Sequence, residues 1–254
     1  RRRQVKSRKG ENHRRRAVGP RTDPLVFIPL HDNTPLKVIR FQYVTLAIIA
    51  GNVIIFLMTG AFQSDQFLGS VATTFGVVPS DLTQGPFQNA VHNPIPEPAT
   101  LVSYMFLHAG WLHLISNMLF LWVFADNVED AFGYVPFTLF YLLCGIAGAL
   151  AHVAMAPNSP SPLIGASGAV SGVIGSYMLL YPKARVWILL FMRIPLRISA
   201  VWVLGGWFLL QIVSLYLDFG GGEQVAWWAH IGGFAAGLAL TLVLRSRLLI
   251  SPPA

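Results

Sequence analysis

The chain has 254 residues, 54% of them hydrophobic and 11% charged, with 18 Lys and Arg against 11 Asp and Glu for a net charge of +7. A soluble globular domain carries about 25% charged residues, and a disordered chain is not this apolar. Twelve of the basic residues lie in positions 1–40 and none between Phe41 and Pro182, so the positive charge belongs to a tail and not to a folded surface that would hold nucleic acid. The class left is an all-α integral membrane protein.

The opening RRRQVKSRKGENHRRR suits two roles. One is contact with anionic lipid headgroups, at about 1 kcal/mol per basic residue near the surface. The other, which is favoured, is a disordered stretch that only enforces topology. No short apolar region with a small-residue cleavage site follows it directly, so no removable signal peptide is expected. Six runs then approach the roughly 20 apolar residues that a spanning helix needs. They fall near 41–59, within 101–125, and near 133–155, 165–181, 199–217 and 226–244. The single cysteine, Cys144, lies in the third run and excludes an intrachain disulfide or a cysteine metal cluster. An even number of spans puts both termini on one side. With that side cytoplasmic, the inner segments carry twelve basic residues in the tail, four in the fourth connection (Lys183, Arg185, Arg193, Arg197) and two at the C-terminus (Arg245, Arg247), which accounts for all 18. The division expected is a cytoplasmic tail over 1–40, a six-helix domain over 41–247 and a short cytoplasmic tail over 248–254.

Two outer connections exceed simple turns. Positions 60–100 are long enough to expect an interfacial element on the outer leaflet. Residues 218–225, DFGGGEQV, fit a mobile flap or equally a flexible turn.

Polar residues inside a membrane raise a functional hypothesis by default, and here they are His108, His113, Asn117, His152, Ser167, Ser171 and His230. All eleven acids fall in the tail or in connections, Asp126, Glu129 and Asp130 among them. That excludes an aspartyl dyad, and no H-E-x-x-H zinc motif is present. Ser167 stands in G-A-S-G, flanked by Gly165 and Gly168, at the start of the fourth span, where free backbone N–H groups and the helix dipole favour a developing anion. Small residues there also suit plain helix packing. His230 sits about 6 Å into the sixth span at 1.5 Å per residue. Ser167, Ser171 and Gly175 form one stripe, and His230, Gly233 and Gly237 another. If the stripes face each other, Ser167 meets an imidazole and becomes an activated nucleophile. No acid is at hand to complete a triad, so packing alone is expected to orient the ring. His113 and Asn117, one turn apart, can both donate to an oxyanion, provided the second helix begins near Gly110 and Trp111. His108 is expected to hold a loop, and His152 to be structural or interfacial.

The run FLHAGWLHLISN from Phe106 to Asn117, GASG at 165–168 and AHIGG at 229–233 together resemble the rhomboid intramembrane serine proteases, over about residues 25–245. The resemblance implies a six-helix bundle with a long first outer loop and a Ser167–His230 dyad. It implies an oxyanion site from His113, Asn117 and the Ser167 N–H, substrates that are membrane proteins with a transmembrane helix, and no metal or cofactor. It also implies a lateral gate on the fifth helix, with Trp202, Trp207 and Phe208. The compact form suggests a bacterial inner membrane. Three positions depart from the family pattern. The first loop lacks a tryptophan-arginine pair, Ser171 stands where an aromatic often stacks on the histidine, and Val225 replaces a glycine. The competing class is a non-catalytic relative that binds membrane helices, which would be expected to lose the serine, the histidine or the glycines. A transporter is disfavoured by the absence of an internal repeat and of a mid-membrane charge.

Overall fold

The computed structural model describes residues 27–61, 63–84, 94–190, 193–217 and 226–250. Most of the basic tail and the 218–225 flap lie outside these residues. A strand, β1 (Phe27–Asp32), precedes α1 (Tyr43–Thr59). The long connection after it holds α2 (Asp65–Phe75), α3 (Pro79–Gln84), α4 (Glu97–Ser103) and a 3₁₀ turn, Tyr104–Phe106. Then come α5 (Trp111–Phe132), α6 (Tyr134–Met155) and α7 (Ser167–Leu180). A hairpin of β2 (Arg185–Leu190) and β3 (Ile194–Ser199) leads to α8 (Ala200–Leu217) and α9 (Trp227–Val243).

The six expected spans are α1, α5, α6, α7, α8 and α9, forming an α-helical membrane bundle. Among the described residues, α6 and α8 are each long and apolar enough to cross a bilayer, while α1, α7 and α9 are shorter apolar helices. The second span is bent by 84° between Phe106 and Trp111. It therefore starts where the depth of His113 requires and not at Leu101.

At its other end α5 runs past residue 125 to Phe132, so Asp126, Glu129 and Asp130 are helical and not in a connection as expected. The link to α6 is Gly133 alone, whose φ of 80° reverses the chain in one left-handed residue. Glu129 and Asp130 are fully buried and answer backbone donors from the incoming chain. Glu129 accepts from the N–H groups of Val44 (3.0 Å) and Thr45 (2.8 Å) and from the Thr45 hydroxyl (2.6 Å). A carboxylate from a neighbouring helix thus caps the first turn of α1, where N–H groups have no intrahelical partner and the dipole favours negative charge. Asp130 accepts from the N–H groups of Lys37, Val38 and Ile39 at 2.7–2.8 Å.

This end of the bundle also carries a three-stranded antiparallel sheet, ordered β1-β2-β3, that the sequence reading did not foresee. Its strands lie in the tail and in a basic connection, whose charges mask the β-branched pattern of RVWILL and IPLRIS. Residues 27–40, read as the end of the tail, are therefore folded: β1 pairs with β2, and the segment after it is held by Asp130. Asp32 is buried and accepts hydrogen bonds from the Tyr177 hydroxyl and from Asn127 Nδ2 (3.1 Å). That burial pushes its carboxyl above the usual carboxylate range.

The tightest packing is between α7 and α9. A Cβ on Gly233 would overlap the Gly168 carbonyl oxygen, and one on Gly237 would overlap that of Gly172. A Cβ on Gly175 would lie 2.8 Å from the Phe234 oxygen. On the other side of α9, a Cβ on Gly148 of α6 would come within 2.7 Å of the Ala229 oxygen. Where lipid is as apolar as leucine, such close van der Waals contact is what holds helices together.

Gly237→Ala is expected to force the seam apart at about 1–3 kcal/mol, lowering the thermal midpoint in detergent by about 3–10 °C. Gly51→Ala on α1, where an added Cβ meets nothing within 4 Å, should leave the midpoint unchanged or slightly raised. A carboxyl whose pKa is raised in the folded state binds its proton more tightly there than in the unfolded chain. Its contribution is present at low pH and lost as pH rises through the folded value. Asp32→Asn, which keeps an oxygen for Tyr177 and Asn127, should therefore gain stability relative to wild type as pH is raised from about 4 to about 8 in a melting series.

Candidate active site

Helix α7 starts at Ser167 because the segment before it is held in place. Val77 and Leu163 exchange two backbone hydrogen bonds (3.0 and 2.8 Å), and the Gly165 N–H donates to the Tyr104 carbonyl at 2.9 Å. The Thr83 hydroxyl reaches the Pro157 carbonyl at 2.7 Å and the Ser80 N–H that of Ser159 at 3.0 Å. The long first connection is thus a clamp on the approach to α7. Gly165 has φ of 126°, and a Cβ there would lie 2.6 Å from His113 Nε2 and 3.8 Å from Ser167 Oγ. Conformation and space both require glycine. The N-cap, Ala166, has no side-chain oxygen, which leaves the first N–H groups of α7 uncapped.

Across the glycine seam, His230 Nε2 stands 2.8 Å from Ser167 Oγ. The two helices bring together what the stripes suggested. Gly168 and Gly233 form the contact directly beneath the pair, and a Cβ on Gly168 would also meet the Tyr104 hydroxyl at 3.1 Å. Ser171 is fully buried and its hydroxyl donates back to the Ser167 carbonyl at 2.6 Å, so it does not touch the imidazole.

His230 is instead braced by Gln211 and Trp227, which no motif singles out, and by Trp207, expected as a gate residue. Its Nδ1 lies 2.8 Å from Oε1 of Gln211 on α8. Trp227 stands edge-on to the ring at 5.9 Å between centroids, and Trp207 tilts over it at 6.3 Å. The expectation that packing alone orients the ring is thus corrected. The signal was present, since Gln211 is the one side-chain amide in a mostly apolar run, and intramembrane polar groups are costly unless used.

His113 is half-buried beside this pair. The Ala109 N–H donates to its Nδ1 at 3.4 Å, which favours the ring proton on Nε2, the nitrogen nearest Gly165. One N–H of Asn117 goes to the His113 carbonyl at 2.8 Å, which leaves one for other use. His108 is fully buried and packs its ring edge against His113 at 4.9 Å. Of the expected gate residues on α8, Trp202 is exposed, Phe208 stacks on Phe234 at 3.9 Å between centroids, and Trp207 faces the imidazole.

A family model described as Rhomboid domain matches residues 95–247. Among curated proteins, the chain is 34% identical over 147 residues to "RHOMBOID-like protein 2" of Arabidopsis thaliana, covering 58% of this chain and 42% of the relative. It is 33% identical over 148 residues to "Rhomboid-like protease 3" of Toxoplasma gondii, covering 58% and 52%. To "RHOMBOID-like protein 6, mitochondrial" of Arabidopsis thaliana it is 31% identical over 144 residues, covering 57% and 43%. The chain thus spans about half or less of the length of these relatives. They are eukaryotic and one is named mitochondrial, which gives no support to the expected bacterial membrane. Because the matched segment covers more than half of the sequence and contains both Ser167 and His230, the chain belongs to the rhomboid family of integral membrane proteins.

Proposed function

We propose that this chain is an intramembrane serine endopeptidase acting through a Ser167–His230 dyad. The observation that carries the reading is the 2.8 Å separation of Ser167 Oγ and His230 Nε2 at the head of the α7–α9 seam. Ser167 Oγ attacks the scissile carbonyl carbon while His230 Nε2 takes the hydroxyl proton. The carbonyl oxygen becomes an oxyanion, met by the uncapped Ser167 N–H, the Nε2–H of His113 and the free N–H of Asn117. Collapse breaks the C–N bond, His230 gives its proton to the leaving amine, and Ser167 is left acylated. Water then attacks the acyl carbon, its proton passing to His230 and back to Ser167 as the acid leaves.

The substrates proposed are membrane proteins with a transmembrane helix, cut near the end of the bundle that holds Ser167. That end is assigned to the extracytoplasmic side. All described Lys and Arg sit at the other end, on residues 37–40, 183–197 and 245–247, and basic residues are retained in the cytoplasm. The exposed face of α8, with Trp202, Leu209 and Leu210, is the proposed route of lateral entry.

The test is incubation of the purified full chain with single-span membrane proteins and mapping of the cut by mass spectrometry. Ser167→Ala and His230→Ala are each expected to lower kcat by about 10⁴-fold or more, and His113→Ala by about 10²-fold with little change in KM. Cleavage that survives Ser167→Ala would overturn the dyad. Helix binding without cleavage by the wild type would favour a non-catalytic relative.

A further inference from the structure

Gln211 is a polar side chain on α8, a helix with an exposed apolar face. Its neighbours Leu209 and Leu210 face outward, yet Gln211 itself is only 8% exposed. Its two amide atoms have different partners. Nε2 donates to the Trp207 carbonyl one turn earlier at 3.4 Å, and Oε1 faces His230 Nδ1 at 2.8 Å. Flipping the amide would set oxygen against the Trp207 oxygen, so the network itself fixes which atom faces the imidazole. An amide oxygen only accepts, and neutral imidazole carries a single ring proton. That proton therefore belongs on Nδ1, and Nε2 is left bare at 2.8 Å from Ser167 Oγ. The opposite tautomer would oppose two acceptors at Nδ1, and its Nε2–H would donate to Ser167 Oγ and leave no base for the hydroxyl proton.

We propose that Gln211 is a positioning residue that holds His230 in its Nδ1–H tautomer, the form whose Nε2 can take the proton of Ser167. The proposal rests on the dyad reading. It assigns to a neutral amide from α8 the orienting task that a carboxylate performs in serine hydrolases with a third member. An amide needs no counter-charge inside the bundle, whereas a buried carboxylate would. The base is supported from two helices, with the ring on α9 and its acceptor on α8.

The experiment uses the full chain in detergent, with ¹⁵N-labelled histidine, and the His230 ring signals identified by their loss in His230→Ala. The wild-type spectrum is expected to show a protonated Nδ1 and a bare Nε2. Gln211→Met, close in size but without an acceptor, is expected to lose or mix that tautomer and to lower kcat for a single-span substrate by about 10²-fold. KM should change less than about twofold, since the ring acts in proton transfer and not in binding. Gln211→Glu, which keeps an oxygen at the same place, should recover most of the lost rate.

A wild-type spectrum with the proton on Nε2 would overturn the proposal. So would a Gln211→Met variant with wild-type kcat and an unchanged His230 spectrum. If Gln211→Met fails to fold, the wild-type spectrum still decides. Ser167→Ala separates the two readings. An inactive Ser167→Ala alongside a fully active Gln211→Met removes only the role of Gln211, whereas an active Ser167→Ala removes the dyad.

Discussion

Two helix backbones, those of α7 and α9, touch, and the meeting of Ser167 with His230 follows from that contact. Gly233 and Gly237 lie against the carbonyl oxygens of Gly168 and Gly172 with no room for a side chain between them. A hydroxyl on the short side chain of serine can meet an imidazole on the next helix only at such a distance. In a bilayer the hydrophobic effect does not press helices together, so small residues must let dispersion and backbone contact do so. The seam is therefore both the main packing element and the device that sets the 2.8 Å between Ser167 and His230.

The bundle separates its polar groups by kind. The buried carboxylates, Asp32, Glu129 and Asp130, gather at the sheet end, where Glu129 and Asp130 are paid in backbone N–H groups from the chain entering α1. At the other end the groups of the proposed site include no carboxylate: a hydroxyl, imidazoles and the amides of Asn117 and Gln211. The physical reason is desolvation. A charge in a low-dielectric interior needs several donors to compensate it, while a neutral amide or imidazole needs one good partner. The proposed proton shuttle follows this economy, with charge on the imidazole only while the reaction proceeds.

Much of this arrangement was legible in the residues. The six apolar runs, the position of α5 relative to His113, and the facing stripes of Ser167 and His230 all follow from helical spacing and the cost of polar groups in lipid. The sheet was not legible, because its strands are short, β2 and β3 carry arginines, and β1 pairs with β2 across more than 150 residues of chain, from Phe27 to Leu190. The true end of α5 was hidden for a related reason. Asp126, Glu129 and Asp130 look like a loop until the donors from residues 37–45 that satisfy Glu129 and Asp130 are seen. Gln211 was visible as the odd polar residue of the fifth run. Its partner could not be inferred, because helical phase along one segment says nothing of which neighbour its polar side chain meets.

The most direct measurement is reaction of the purified chain with a fluorophosphonate and location of the adduct by mass spectrometry, in the wild type and in His230→Ala. The account predicts one adduct, on Ser167, that falls to background when His230 is removed. Modification of Ser167 at the same rate in both proteins, or of a different serine in the wild type, would contradict it.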